Sequence, residues 1–352
     1  MRIDFKSTLI TAAALLSLTT SAGAAVEKIS GAGATFPYPV YSKWAQAYNE
    51  KTGVQMNYQA IGSGGGIKQI KANTVDFGAS DAPLKKKALD QAGLMQFPMV
   101  MGGVVPVVRI EGVDAGELKL DGQTMGAIYA GKITNWNDPA IQKLNPNLDL
   151  PDKQITVVHR SDGSGTTWIF TSYLAKTSDV WANGPGHAKA VAWPTGVGGK
   201  GNQGVASYVD RIKNSIGYVE YAYALQNDMT YVSLKNKDGN FVEPTSANFQ
   251  AAAANADWDN APGFYEVLTD QPGANSWPIT GASFILMHKT TKDPQVAQAV
   301  LKFFDWAYAN GDAMADQLDY VPMPDNVVKL VHDKWQEQIQ GENGQAIWPV
   351  KQ

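Results

Sequence analysis

Apolar positions along the chain form short extended runs that alternate with helical stripes, and several of the runs empty into glycine-rich loops. Residues 54–61, 75–80, 154–159 and 216–221 read as strands. Residues 99–109 are strongly apolar although Gly102-Gly103 and Pro106 interrupt them, and they read as an extended crossing between two lobes. Its return partner is Trp277-Pro278-Ile279-Thr280-Gly281 with the strand 282–288. Between the crossings the pattern predicts a helix ending at Gly131, another after Asp138-Pro139, helices over 167–176 and 202–212, a hairpin over 231–242 bent at Asp238-Gly239, and a helix after Thr245-Ser246. Outside them, Val40, Trp44, Ala47 and Tyr48 share one helical stripe, and Val327, Leu330, Val331 and Trp335 another. Val296, Val300, Phe303 and Ala307 share a third, behind an Asp293 cap and Pro294 in the first turn. This alternation predicts an α/β protein.

Three loops carry the same chemistry. Arg160-Ser161-Asp162-Gly163-Ser164-Gly165-Thr166 lies between a strand and a helix, so backbone N–H groups of the helix start are free to point at one spot beside the positive end of the helix dipole. Arg160 adds a fork of donors, and Ser164 and Thr166 add hydroxyls. Gly31-Ala32-Gly33-Ala34-Thr35-Phe36, before Pro37 and Pro39, reads as a second loop opening a helix. Gly62-Ser63-Gly64-Gly65-Gly66 is the third, and its run of glycines is expected in the loop because glycine costs roughly 1 kcal/mol inside a helix relative to alanine. Asp81, at the carboxyl end of its strand, falls on the same side as the helix starts. Lys85-Lys86-Lys87 reads as a solvated helix face.

Composition narrows the partners. The 352 residues, 44% apolar with 34 glycines, suffice for two domains, and a net charge of −4 without a long basic cluster argues against a nucleic-acid surface. Any anion must be held locally. Residues 1–25 read as a secretory signal, with Arg2 and Lys6 before an apolar centre too short to span a bilayer and the small residues Ala22-Gly23-Ala24-Ala25 at its end. Cysteine is absent, so neither disulfides nor a thiolate metal site is available. Neither serine loop fits G-x-S-x-G, since Ile61 and Asp162 occupy the first glycine's place. Gly196-Val197-Gly198-Gly199-Lys200-Gly201 matches a dinucleotide pattern by letters only and reads as a close-packed turn into a helix. His159, His187, His288 and His332 have no metal-ligand spacing. Trp193 and Trp277, each before a proline, are candidates for a cleft wall.

Taken in order, the Gly31 to Pro37 run, the run Ile61 to Ile70, Asp76-Phe77-Gly78-Ala79-Ser80-Asp81-Ala82-Pro83, Arg160 to Thr166, Gly198-Gly199-Lys200-Gly201-Asn202, Ile216-Gly217-Tyr218-Val219-Glu220-Tyr221 and Trp277-Pro278-Ile279-Thr280 resemble the periplasmic phosphate-binding proteins of bacterial phosphate ABC transporters. The resemblance covers nearly all of the chain after residue 25. It implies a two-lobed periplasmic-binding-protein fold of type II, with a ligand cleft between lobes joined by two hinge crossings. It implies lobe I over 26–108 and 279–352, and lobe II over 109–278. It implies inorganic phosphate held by Thr35, the Phe36 N–H, Ser63 and Asp81 from one side, and by Arg160, Ser164, Gly165 and Thr166 from the other, with Asp162 holding Arg160. Gly64 and His159 depart from what is frequent in the family, as does a longer tail after Gly341; none is an expected phosphate contact.

A carboxylate in an anion site repels its guest unless the guest brings a proton to share. Asp81 is therefore expected to favour phosphate, which keeps a proton near neutral pH, over sulfate, which has none. The implied protein is a periplasmic monomer without cofactor or metal, neither membrane-spanning nor an enzyme, delivering phosphate to an inner-membrane ABC permease. The alternatives are a secreted phosphate-ester hydrolase using the same anion seat and a binder of another oxyanion such as sulfate or molybdate.

Overall fold

The computed structural model describes residues 26–349; the expected signal, residues 1–25, lies outside the described residues. In chain order the elements that build the site are β1 (Lys28–Gly33), α1 (Tyr38–Thr52), β2 (Gln55–Ala60), α2 (Ser63–Lys71), β3 (Phe77–Ser80), β4 (Leu94–Arg109), β5 (Thr156–Arg160), α3 (Gly165–Thr177), β6 (Val197–Gly199), α4 (Gly201–Arg211), β7 (Ser215–Glu220), β8 (Thr280–His288), α5 (Pro294–Asn310) and α6 (Asp325–Gln338). The strands run β2-β1-β3-β8-β4-β7-β5-β6 across one continuous path. β1, β2 and β3 are mutually parallel, as are β5, β6 and β7, while β8 runs antiparallel to both β3 and β4.

β4 joins the two halves of this path. From Leu94 to Gly103 it pairs with β8, and from Val104 to Arg109 it pairs antiparallel with β7. The change of partner thus falls at Gly103-Val104, next to the place where the chain returns: the Val104 N–H donates to the Ile279 carbonyl at 2.8 Å. The Trp277 indole N–H donates to the Val104 carbonyl at 3.0 Å. Trp277 is fully buried in this role and does not wall a cleft. Trp193 stacks on His159 and packs against Trp181 and Tyr218, so it belongs to the aromatic core of the second half.

Three readings of glycine-bearing segments change. Gly31-Ala32-Gly33, expected in the loop, are the last residues of β1, which lies between β2 and β3, with Gly31 giving way to the Phe77 ring. Gly64, Gly65 and Gly66 lie inside α2 rather than before it. A methyl group at Gly66 would press on the Ala32 and Ala79 carbonyls and on the Gly33 backbone, so the helix gives up intrinsic propensity to lie directly on the sheet. Gly62, at the helix start, has φ +85° and a side chain there would strike Asp162. Residues 197–199, expected as a turn, are a short strand beside β5 that leads into α4.

Because the atoms facing Gly66 are backbone, they cannot swing away. Gly66→Ala is expected to lower the unfolding free energy by about 2 kcal/mol or more in urea melts, and an unchanged midpoint would contradict this packing.

Candidate functional site

Four helix starts meet at the carboxyl ends of the strands. α1 and α2 begin without a side-chain cap, after Thr35-Phe36-Pro37 and Gly62. α3 is capped by Ser164, whose Oγ accepts from the Thr167 N–H at 2.9 Å. α4 begins at Gly201, and its first two N–H groups donate to Asp162 Oδ1 at 3.1 Å and to Thr35 Oγ1 at 3.2 Å.

The expected residues come together from both halves. The Gly64 N–H, on α2, donates to the Gly163 carbonyl at 2.7 Å, which joins the two glycine loops directly. A Cβ on Gly165 would run into Asp81 and the Ser63 hydroxyl, so the N-terminus of α3 faces the Asp81 carboxyl with only glycine between them. Ser63 Oγ accepts from the Asp81 N–H at 3.1 Å and lies 3.4 Å from Asp81 Oδ2. Thr35, Phe36, Ser63, Asp81, Arg160, Ser164, Gly165 and Thr166 are all buried.

Arg160 pairs with Asp162. Its Nε and one terminal nitrogen donate to the two oxygens of Asp162 at 2.8 and 2.6 Å, a bidentate pair with the guanidinium almost fully buried. The other terminal nitrogen donates to Thr166 Oγ1 at 3.3 Å. Burial pushes the Asp162 carboxyl up, but hydrogen bonds and charge from Arg160, with the Gly201 N–H, outweigh it and hold the group below the usual aspartate range.

Asn202 escaped the sequence reading, although it stands inside the quoted Gly198 to Asn202 run. Its Oδ1 accepts from the Glu220 N–H at 3.0 Å, which fixes the amide so that Nδ2 donates to Thr35 Oγ1 at 2.9 Å and Thr166 Oγ1 at 3.2 Å. Each threonine oxygen then accepts two hydrogen bonds, so its own hydrogen must point elsewhere. The Tyr223 hydroxyl donates to the Thr35 carbonyl at 2.7 Å, polarising the peptide whose N–H belongs to Phe36. The Tyr218 hydroxyl accepts from the Arg160 N–H at 3.2 Å and lies 2.6 Å from Thr167 Oγ1.

Ser283 also went unread, though a hydroxyl inside the otherwise apolar run 281–287 was a usable signal. It donates to Asp81 Oδ1 at 2.8 Å. Burial raises the Asp81 carboxyl from 3.8 to about 7, against the lowering influence of Ser283, the Arg160 charge and Ser63. The site therefore presents hydroxyl and guanidinium donors around one acid that titrates near neutrality. Among the described residues no group of three or more His, Cys, Asp or Glu could hold a metal ion.

A family model described as the PBP superfamily domain matches residues 18–310. The chain is 54% identical to the phosphate-binding protein PstS of Pasteurella multocida over 322 residues, covering 92% of this chain and 94% of that one. It is 53% identical to PstS of Haemophilus influenzae, covering 92% and 97%. Among solved structures, PfluDING, a high affinity periplasmic phosphate-binding protein bound with phosphate, matches with a TM-score of 0.70 at 22% identity, over 88% of this chain and 94% of that one. A phosphate-binding protein from Stenotrophomonas maltophilia matches with a TM-score of 0.66 at 20% identity, over 88% and 94%. The structural likenesses establish the α/β periplasmic-binding-protein fold, and the sequence identities establish the family: the chain belongs to the phosphate-binding proteins PstS.

Proposed function

We propose that this protein captures inorganic phosphate between two lobes in the periplasm and delivers it to an ABC-type permease in the membrane, without chemical change. In this reading the two lobes meet near the paired crossings Gly103-Val104 and Ile279-Thr280, where β4 changes partner. The single observation that carries the reading is the convergence of Ser164, Gly165 and Thr166 with Arg160 on Ser63, Asp81 and Thr35 from the opposite half. Thr35, Ser63, Ser164 and Thr166 donate hydroxyl hydrogens to phosphate oxygens, Phe36 and Gly165 donate N–H groups, and Arg160 supplies charge with Asp162 holding its fork. Secretion through residues 1–25 and a monomeric state belong to the same reading. Among the described residues no helix is long and apolar enough to cross a membrane.

Asp81 supplies selectivity through its proton. Above about pH 7 the carboxyl is ionised, so a guest must bring a hydrogen to it; phosphate has one and sulfate does not. Below about pH 7 the carboxyl carries its own hydrogen and can donate it to either ion. A buried acceptor left without a hydrogen can cost a rival ligand a factor of up to ~10⁴.

Calorimetric titration is expected to show sulfate discriminated most strongly at pH 8, with sulfate gaining on phosphate as pH falls through 7. Asp81→Asn flattens that pH dependence and improves sulfate relative to phosphate by about 100-fold at pH 8. Equal binding of the two ions by the native protein at pH 8 would remove Asp81 from this role. The same titration has a signature in stability. With the folded value raised to about 7, the contribution of Asp81 is fully present below the ordinary aspartate range and is lost as pH rises through 7. The melting temperature of anion-free Asp81→Asn, relative to the native protein, therefore rises between about pH 4 and 7 and levels off above; a difference independent of pH would contradict the burial of the acid. Incubation with a chromogenic phosphomonoester is expected to give no turnover, and steady release of phosphate abolished by Ser164→Ala would make the protein a hydrolase.

A further inference from the structure

Glu220 is fully buried at the end of β7, opposite Val104 where β4 changes partner. Its Oε2 lies 2.7 Å from the Tyr320 hydroxyl, and that same hydroxyl lies 2.6 Å from the Phe36 carbonyl oxygen. Two oxygen pairs at these separations need two hydrogens. Tyr320 owns one and a carbonyl owns none. The Phe36 carbonyl can only accept, so the tyrosine hydrogen goes to it and the second hydrogen must come from the carboxyl.

We propose that Glu220 is a neutral carboxylic acid at working pH, and that its hydrogen, passed as a donor chain through Tyr320 to the Phe36 carbonyl, positions the Thr35-Phe36 turn against the other half of the molecule. The proton assignment rests on oxygen geometry alone; its consequence for binding rests on the phosphate reading. The surroundings agree with it. Both carboxyl oxygens accept from the Ala222 N–H at 3.1 Å, and the titratable groups facing Glu220 are Tyr320, Tyr223 and Asp81, with no cation among them. Burial drives the carboxyl well above the ordinary glutamate range, with the Asp81 charge acting in the same direction against weaker lowering by backbone N–H groups. The Glu220 backbone N–H meanwhile orients Asn202, so one residue fixes the Phe36 carbonyl through its side chain and the two threonine hydroxyls through its backbone. Glu220 is a positioning residue that itself touches no ligand.

The direct test is infrared difference spectroscopy of the full-length mature protein at pH 8, above the range in which Asp81 titrates. The native protein minus Glu220→Gln is expected to show the carbonyl stretch of a protonated carboxylic acid, and Tyr320→Phe is expected to shift that band by removing its acceptor. If Glu220→Gln does not fold, the band and its Tyr320→Phe shift still decide the matter. Calorimetry with inorganic phosphate supplies the second arm: Glu220→Gln, which keeps a neutral donor, retains affinity within about threefold, while Glu220→Ala loses at least about tenfold. A carboxylate band in place of the acid band, or Glu220→Gln as damaging as Glu220→Ala, would overturn the proposal. An acid band in a protein that binds no phosphate would leave the proton in place and instead overturn the phosphate reading.

Discussion

Asp81 is a carboxyl group taken out of water, set opposite a buried guanidinium and hydrogen-bonded by two serine hydroxyls and its own backbone surroundings. Desolvation of this one group is the largest influence on its titration, and the features around it answer to that cost. Ser283 and Ser63 direct hydrogens or polar contact at its oxygens, Arg160 supplies opposite charge, and glycine at 165 lets a helix N-terminus come up against it. Arg160 in turn would be an uncompensated buried charge without Asp162, which is why the loop carries an acid two residues after its base.

The hydroxyls of the site are made directional by what they accept. Thr35 and Thr166 each take two hydrogen bonds from Asn202, the α4 backbone or Arg160, and Ser164 takes one from the α3 backbone. A hydroxyl whose lone pairs are committed presents its hydrogen, so a set of chemically ambivalent side chains becomes a set of donors. Such a lining suits an oxyanion, and the proposed phosphate site needs no excess of positive charge, in keeping with a chain of net charge −4. Because Asn202 contacts a threonine from each half, this polarity is complete only when the halves meet.

Much of this was legible in the sequence. Strand-to-glycine-loop-to-helix patterns, the acid after residue 80 and the arginine at 160 are local signals, as are the two apolar crossings, and each follows from short-range chemistry. The strand at 28–33 was hidden because its glycines and alanine read as loop; its pairing with β2 and β3 is long-range, and the Phe77 ring packed over Gly31 accounts for the glycine there. The glycines of α2 misled for the same reason: intrinsic propensity argued against helix, while close contact with β1 and β3 decided for it. Asn202, Tyr223, Glu220 and Tyr320 act across separations of 100 residues or more in several of their contacts, and no local pattern marks them.

Neutron diffraction from crystals of the phosphate complex would locate the hydrogens on which this site depends. An anion is expected between the halves, with a hydrogen shared between Asp81 and one of its oxygens, and with hydrogens from Thr35, Ser63, Ser164, Thr166 and Arg160 directed at the others. An anion seated away from Asp81, or one facing the carboxyl with no hydrogen between them, would contradict this arrangement.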